Sequence, residues 1–185
     1  MVSIWNDYII QFIGLIQMHI METPRLIVRY FTIRDLEALV PILANSQVME
    51  FSILGVHSRQ QTKQFIEQRL LSYLEPGFGL YALIHKEYKE LIGYCGFFVQ
   101  RVEQYKEVEV GYRLAAQYWG QGLATEAARS ICEYGRKKFN FKRLICLIEP
   151  DNKRSIRVAE KLDMKLEKEI VYYGINVQLY SKEYG

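Results

Sequence analysis

The chain has 185 residues, of which 50% are hydrophobic and 24% are charged, and its formal net charge is +3. This composition fits one soluble domain with a full hydrophobic core. The lysines and arginines are spread along the chain, which argues against a nucleic-acid-binding protein. Cys95, Cys132 and Cys146 lack metal-ligand spacing and lie among apolar residues. We therefore expect buried thiols in a reducing cytoplasm and no metal site.

The first twenty residues are strongly apolar and predict an amphipathic helix. Polar residues interrupt the apolar run well short of the ~20 residues that a membrane span requires, and the features of a signal peptide are missing. One stripe at helical spacing is formed by Trp5, Ile9, Phe12, Ile13 and Ile16. We expect this extension, residues 1–20, to cover an apolar surface of its own chain or of a partner, such as the second copy of a homodimer. An alternative is that it precedes a truer start at Met21.

The next elements are predicted from capping and breaking residues. Arg25 to Phe31 has the pattern of a strand. Thr32 is placed to cap a helix over 34–43, with Asp35 in its first turn. A second helix over 59–74 ends at Pro76-Gly77.

The rest of the chain predicts a sheet with two more helices. The elements are strands over 79–86, 90–101 and 105–115, a helix over 123–139, a strand over 143–149, a helix over 152–162, and strands over 164–173 and 175–181. Because a helix connects the strands over 105–115 and 143–149, we expect those two to be parallel. The fold class is then α+β, with a mixed, mostly antiparallel sheet flanked by helices.

A glycine-rich stretch, Gln117 to Gly122, leads from a strand into the helix over 123–139. Gly120 and Gly122 let the backbone approach a ligand closely, and the first N–H groups of a helix have no partner within it. Those donors and the positive end of the helix dipole suit a pyrophosphate. A tight connection without a ligand is the alternative.

Several further motifs accompany this turn. They are Glu22-Thr23-Pro24-Arg25-Leu26-Ile27-Val28-Arg29, Glu109-Val110-Gly111-Tyr112, and Asn152-Lys153-Arg154-Ser155 followed by Glu160-Lys161-Leu162. Together with Gln-x-x-Gly-x-Gly at 117–122, they resemble the GNAT superfamily of N-acetyltransferases, in particular the branch of ribosomal-protein N-terminal acetyltransferases. The resemblance covers roughly residues 21 to 180, so we expect residues 21–185 to form one acetyltransferase domain.

The resemblance implies acetyl-CoA as co-substrate, no metal, and direct attack of a primary amine on the thioester. The acceptor would be a peptide or protein N-terminus or a small-molecule amine. The pantetheine arm would lie where the parallel strands splay apart, near Leu114 and Glu149. The cofactor-binding residues that the resemblance implies are Val110, Gln117, Gly120, Gln121, Gly122, Leu123, Ala124, Asn152 and Ser155.

Three residues are the catalytic candidates that the resemblance implies. Glu109 would be the general base, although a solvent-exposed face of the strand would also explain a glutamate there. Asn152 would contact cofactor or substrate, and Ser155 would give a proton to the departing thiolate. Both residues also suit the start of a helix, with Asn152 as its cap.

Three points stay open in the sequence. Residues 46–58 would border the acceptor, and their specificity candidates are Met49, Phe51, Ile53, Leu54 and His57. Asp163-Met164 replaces a common Gly-Phe pair, and Asp adopts the left-handed cap conformation less easily than Gly. A non-catalytic CoA-binding module of the same fold is the alternative function; it would need the turn at 117–122 but not the catalytic candidates.

Overall fold

The computed structural model describes residues 19–185, which form eight strands and four α-helices. The elements are β1 His19–Glu22, β2 Leu26–Arg29, α1 Leu36–Leu43, α2 Arg59–Ser72, β3 Leu80–His85, β4 Leu91–Val102, β5 Tyr105–Leu114, α3 Leu123–Phe139, β6 Arg143–Ile148, α4 Lys153–Lys161, β7 Lys165–Tyr172 and β8 Ile175–Glu183. Within this part of the chain, no helix is long and apolar enough to span a membrane.

The described residues divide into two compact units. The first unit comprises 19–94 and 113–123, and the second comprises 95–112 and 124–185. The strands follow the order β1-β2-β3-β4 in the first unit and β4-β5-β6-β8-β7 in the second. β5 pairs parallel with β6, whereas β1 with β2, β2 with β3, β6 with β8 and β7 with β8 pair antiparallel. The predicted mixed, mostly antiparallel α+β fold is thereby confirmed.

In the first unit, a buried ion pair joins the end of β2 to the start of α1. The guanidinium of Arg29 donates to both carboxylate oxygens of Asp35, over 2.6 and 2.8 Å. The same carboxylate accepts the backbone N–H of Thr32 at 2.8 Å. Thr32 therefore caps a single 3₁₀ turn, Ile33–Asp35, rather than the predicted helix over 34–43, whereas α1 begins at Leu36 with Asp35 as its own cap.

A close backbone contact explains one of the glycines in β4. Gly93 has φ +149°, and a Cβ there would lie 2.0 Å from the carbonyl oxygen of Arg113. Any side chain would therefore force the two strands apart. This is the close approach that a glycine inside a strand predicts.

In the second unit, the inner face of α3 and the strands supply the core. Ala127 and Ile131 of α3 are fully buried, as is Ile145 of β6. The three cysteines are free and buried, as predicted, and burial raises their pKa values. They therefore behave as small apolar side chains.

The structure departs from the sequence-based expectations near both ends of the chain. The stripe from Trp5 to Ile16 lies outside the described residues, but His19 and Ile20 belong to β1, a strand that was not predicted. After α4, Asp163 adopts the left-handed conformation at φ +61°, and the Nζ of Lys182 donates to its carboxylate at 3.3 Å. The aspartate thus occupies the position for which glycine is common.

Candidate active site

The glycine turn, Gln117 to Gly122, is held in the first unit by its two aromatic residues. The indole N–H of Trp119 donates to the carbonyl oxygen of Leu114, the last residue of β5, at 2.9 Å. The buried ring of Tyr118 stacks on His85, and its hydroxyl donates to the carboxylate of Glu90. These contacts fix the start of the turn against two strand ends.

The two glycines leave the backbone of the turn open. Gly120 and Gly122 have φ +75° and +79°, and a Cβ at Gly120 would meet no described atom within 4 Å. Within residues 19–185, the N–H groups of 120–122 make no hydrogen bond to the protein. Because α3 begins at Leu123, its first N–H groups add further donors. These donors fit a pyrophosphate.

One side chain at this turn was not identified from the sequence. The guanidinium of Arg25 donates through Nη1 to the carbonyl oxygen of Gln121 at 2.9 Å. Arg25 and Gln121 are 96 residues apart in the sequence. Gln121 also donates from its side-chain amide to the carbonyl oxygen of Gln117, which braces the turn internally.

The Glu109 cluster lies in the second unit, at the point where β5 pairs with β6. The register places Glu109 level with Ile145. Two residues further along β6, the N–H of Leu147 donates to Oε1 of Glu109 at 3.2 Å. The acceptor of this backbone N–H is therefore a side-chain carboxylate and not a carbonyl oxygen of the neighbouring strand. Gln100 donates to Oε2 at 2.7 Å and accepts from the hydroxyl of Tyr172 at 2.8 Å. We call Glu109, Gln100, Tyr172 and the Leu147 N–H the Glu109 cluster.

This environment gives Glu109 a raised pKa. Burial is the main cause, and the hydrogen bonds from Gln100 and Leu147 act in the opposite direction. Both donors are neutral, so neither supplies the full positive charge that would hold the carboxylate ionised. Glu109 is half-buried rather than exposed, and both of its carboxyl oxygens accept hydrogen bonds.

Asn152 and Ser155 begin α4 in the second unit. Oδ1 of Asn152 accepts the N–H of Ser155 at 3.1 Å, which makes Asn152 the cap that its residue type predicts. The hydroxyl of Tyr112 donates to the carbonyl oxygen of Ser155 at 3.3 Å. Two side chains thus hold Ser155 through its own backbone groups. Tyr112, which sequence reasoning did not single out, belongs to the Glu-x-Gly-Tyr motif.

The remaining site candidates are divided between the units. Val110, in the second unit, is buried, and its carbonyl oxygen accepts the thiol of Cys146 at 3.3 Å. Ala124 belongs to the second unit and Leu123 to the first. Among residues 19–185, no three His, Cys, Asp or Glu side chains form a group able to hold a metal ion.

The predicted specificity segment, residues 46–58, lies in the first unit. Met49 is buried, and its sulfur accepts a hydrogen bond from the guanidinium of Arg113. Nδ1 of His57 is buried without a hydrogen-bond partner in the described chain. Burial, helped by the charge of Arg113, lowers the pKa of His57, so its imidazole is neutral at pH 7.

Comparison with known proteins identifies the family. Residues 25–165 match the family described as the acetyltransferase (GNAT) domain. YkkB, an uncharacterised protein of Bacillus subtilis, is 32% identical over 161 residues, which cover 87% of this chain and 94% of that protein. The uncharacterised N-acetyltransferase YnaD of the same organism is 32% identical over 150 residues, covering 81% and 84%.

A solved structure agrees with these sequence relatives. The crystal structure of a GNAT-family acetyltransferase from Bacillus anthracis superimposes with a TM-score of 0.77 and 26% identity, covering 90% of this chain and 98% of that one. The family match also runs through both units, since it extends from residue 25 to residue 165. The chain therefore belongs to the GNAT family of acetyl-CoA-dependent N-acetyltransferases.

Proposed function

We propose that this protein acetylates a primary amine by direct attack of the amine on acetyl-CoA, with Glu109 as the general base. The observation that supports this most strongly is the Glu109 carboxyl itself, fixed by two neutral donors and with a raised pKa. A general base works best when its pKa lies near the working pH. A carboxyl moved upward from its ordinary range is therefore better suited to take a proton from an amine.

We place the pyrophosphate at the glycine turn. The N–H groups of 120–122 and the start of α3 would donate to its oxygens. Gln117 would act through its carbonyl oxygen, which holds the side chain of Gln121. Val110 and Asn152 are proposed cofactor contacts in the second unit. Acetyl-CoA supplies the thioester carbonyl that the amine attacks.

Ser155 is the proposed donor of a proton to the departing thiolate. Its N–H is held by Asn152 and its carbonyl oxygen by Tyr112, so the residue is oriented without using its hydroxyl in those contacts. Burial raises the pKa of Tyr112, which keeps that phenol protonated and able to donate. Asn152 thus serves the proposed chemistry at least by positioning Ser155.

The acceptor we propose first is the α-amine of a peptide or protein. This choice of acceptor is supported by the resemblance to the ribosomal-protein N-terminal acetyltransferases. The acetyltransferase domain that we propose comprises residues 21–185. An α-amine has a pKa near ~8 whereas a lysine side chain lies near ~10.4, so less help is needed to deprotonate it. A base such as Glu109 can therefore act near neutral pH.

An acceptor screen tests the proposal. The protein is incubated with acetyl-CoA and, in turn, peptides with different N-terminal residues, N-blocked lysine peptides, polyamines, aminoglycosides and free amino acids. CoA release and the mass of the acetylated product are both followed, with Glu109→Gln as the matched variant. We expect acetylated peptide N-termini. Acetylation confined to a small amine would reject the peptide preference. Tight CoA binding without turnover on every class would favour a non-catalytic CoA-binding module.

A further inference from the structure

We propose that Arg25 binds the phosphates of CoA directly and supplies the positive charge of the pyrophosphate site. This inference rests on the proposed location of the pyrophosphate at the glycine turn. It adds to the backbone donors a side chain that lies far from the turn in sequence.

The guanidinium of Arg25 lies against the turn at two neighbouring residues. Its Nη1 is 2.9 Å from the carbonyl oxygen of Gln121. Its Nη2 is 3.6 Å from the position that a Cβ would take at Gly122. The positive charge is therefore within contact distance of the backbone that offers its N–H groups.

The backbone that carries Arg25 is fixed by the sheet. The carbonyl oxygen of Arg25 accepts the N–H of Lys86 at 2.9 Å, and the next residue, Leu26, pairs with His85. On the other side, a tight turn joins Thr23 to Leu26 through hydrogen bonds in both directions, each of 2.9 Å. A side chain projecting from such a backbone loses little freedom when it binds a ligand.

Arg25 also provides a charge that the turn lacks. Residues 117–125 contain no charged side chain, and the first charged residue of α3 is Glu126, an acid. The carbonyl oxygen of Gln121 would add partial negative charge beside the ligand, but the guanidinium of Arg25 offsets it. Arginine is suited to this task because its planar group matches the geometry of phosphate oxygens.

Calorimetric titration of CoA into the parent, Arg25→Gln and Arg25→Lys tests the proposal. Arg34→Gln is the matched control, because Arg34 is an exposed arginine of the same unit outside the turn. We expect Arg25→Gln to weaken CoA binding about tenfold or more, since a charge-assisted hydrogen bond is lost, with a smaller loss in Arg25→Lys. Arg34→Gln should bind like the parent.

Two further readouts separate phosphate binding from bracing of the turn. CoA affinity should fall less steeply with rising salt in Arg25→Gln than in the parent, because one positive charge that attracts the phosphates is removed. Pantetheine, which carries no phosphate, should bind all variants equally in ligand-observed NMR. Unchanged CoA affinity in Arg25→Gln would overturn the proposal, as would equal losses for CoA and pantetheine with an unchanged salt dependence.

A parallel titration of Gly122→Asp distinguishes a failure of the proposed role of Arg25 from a failure of the proposed pyrophosphate location. If that variant loses CoA while Arg25→Gln binds normally, the pyrophosphate lies at the turn and Arg25 is not its ligand. If both variants bind CoA like the parent, the proposed location of the pyrophosphate fails as well. Thermal unfolding of each variant identifies any loss that comes from misfolding.

Discussion

The glycine turn offers backbone donors to a ligand, whereas the Glu109 cluster offers a half-buried side-chain acceptor. Residues 117–125 contain no titratable acid or base other than the phenol of Tyr118, so the turn acts through N–H groups whose charge does not change with pH. The Glu109 carboxyl is held by two neutral donors and has a raised pKa. The first region is suited to holding a multiply charged cofactor and the second to moving one proton.

The largest effect is expected from a carboxylate placed in the turn. In Gly122→Asp, two like charges about 4 Å apart repel by about 4 kcal/mol near a protein surface. We therefore expect the Kd for CoA, measured by calorimetry, to rise on the order of a hundredfold or more. The turn would not be the phosphate site if the Kd stayed unchanged.

Gly174→Asp is the matched control for that experiment. Gly174 has the same φ of +79°, lies between β7 and β8, and has open space around its Cβ position. An aspartate at position 174 therefore introduces the same charge and the same backbone strain as one at position 122. CoA affinity should stay at the parent value, while thermal stability falls about as much as in Gly122→Asp.

A loss of turnover rather than binding is expected at the Glu109 cluster. In Glu109→Gln, the amide oxygen can still accept the N–H of Leu147, but the residue cannot take a proton. We expect kcat to fall about a hundredfold, the usual contribution of a positioned base, with CoA affinity within about twofold of the parent. The control is Glu107→Gln, on the same strand, whose carboxylate pairs with Arg143. Equal kcat values for Glu109→Gln and the parent would reject Glu109 as base.

A smaller loss is expected for Ser155→Ala. The contacts that place Ser155 use its backbone, so removing the hydroxyl leaves the start of α4 intact. We expect kcat to fall about tenfold or more if the hydroxyl protonates the thiolate, with circular dichroism unchanged. An acetyl donor whose thiol leaves more readily should narrow the gap between Ser155→Ala and the parent. A constant gap across such donors would argue against this role.

The smallest effect concerns stability and its pH dependence. Because the pKa of Glu109 is raised in the folded state, the carboxyl favours folding below its ordinary pKa. That contribution is lost as pH rises through the raised value. Relative to the parent, Glu109→Gln should therefore gain stability in urea unfolding as pH rises above the ordinary carboxyl pKa. A difference that is constant or of opposite sign would contradict the raised pKa of this carboxyl.

Local patterns were sufficient to predict much of the fold. The helical spacing over 123–139 matches α3, Asn152 caps α4, and Thr32 caps the 3₁₀ turn that precedes α1. The parallel pairing of β5 with β6 followed from the intervening helix. Each of these inferences depends on residues that are close together in the chain.

The contacts around the candidate site could not be predicted from such local patterns. Gln100 is nine residues from Glu109, and Tyr172 is 72 residues from Gln100, so only the folded sheet brings them together. Arg25 reaches the glycine turn across 96 residues. β1 is four residues long and has no alternation of buried and exposed positions. Nothing local in the sequence distinguishes these cases from solvent-exposed residues.

Single-turnover acetyl transfer tests the division of tasks between the glycine turn and the Glu109 cluster most directly. The rate is measured for the parent, Gly122→Asp and Glu109→Gln. The enzyme is in excess over the best acceptor from the screen, and the concentration of acetyl-CoA is increased stepwise. We predict that Gly122→Asp approaches the parent rate when acetyl-CoA is raised about a hundredfold, because only binding is impaired. Glu109→Gln should stay slow at every concentration. A slow Gly122→Asp at saturation, or a Glu109→Gln variant that reaches the parent rate, would contradict this account.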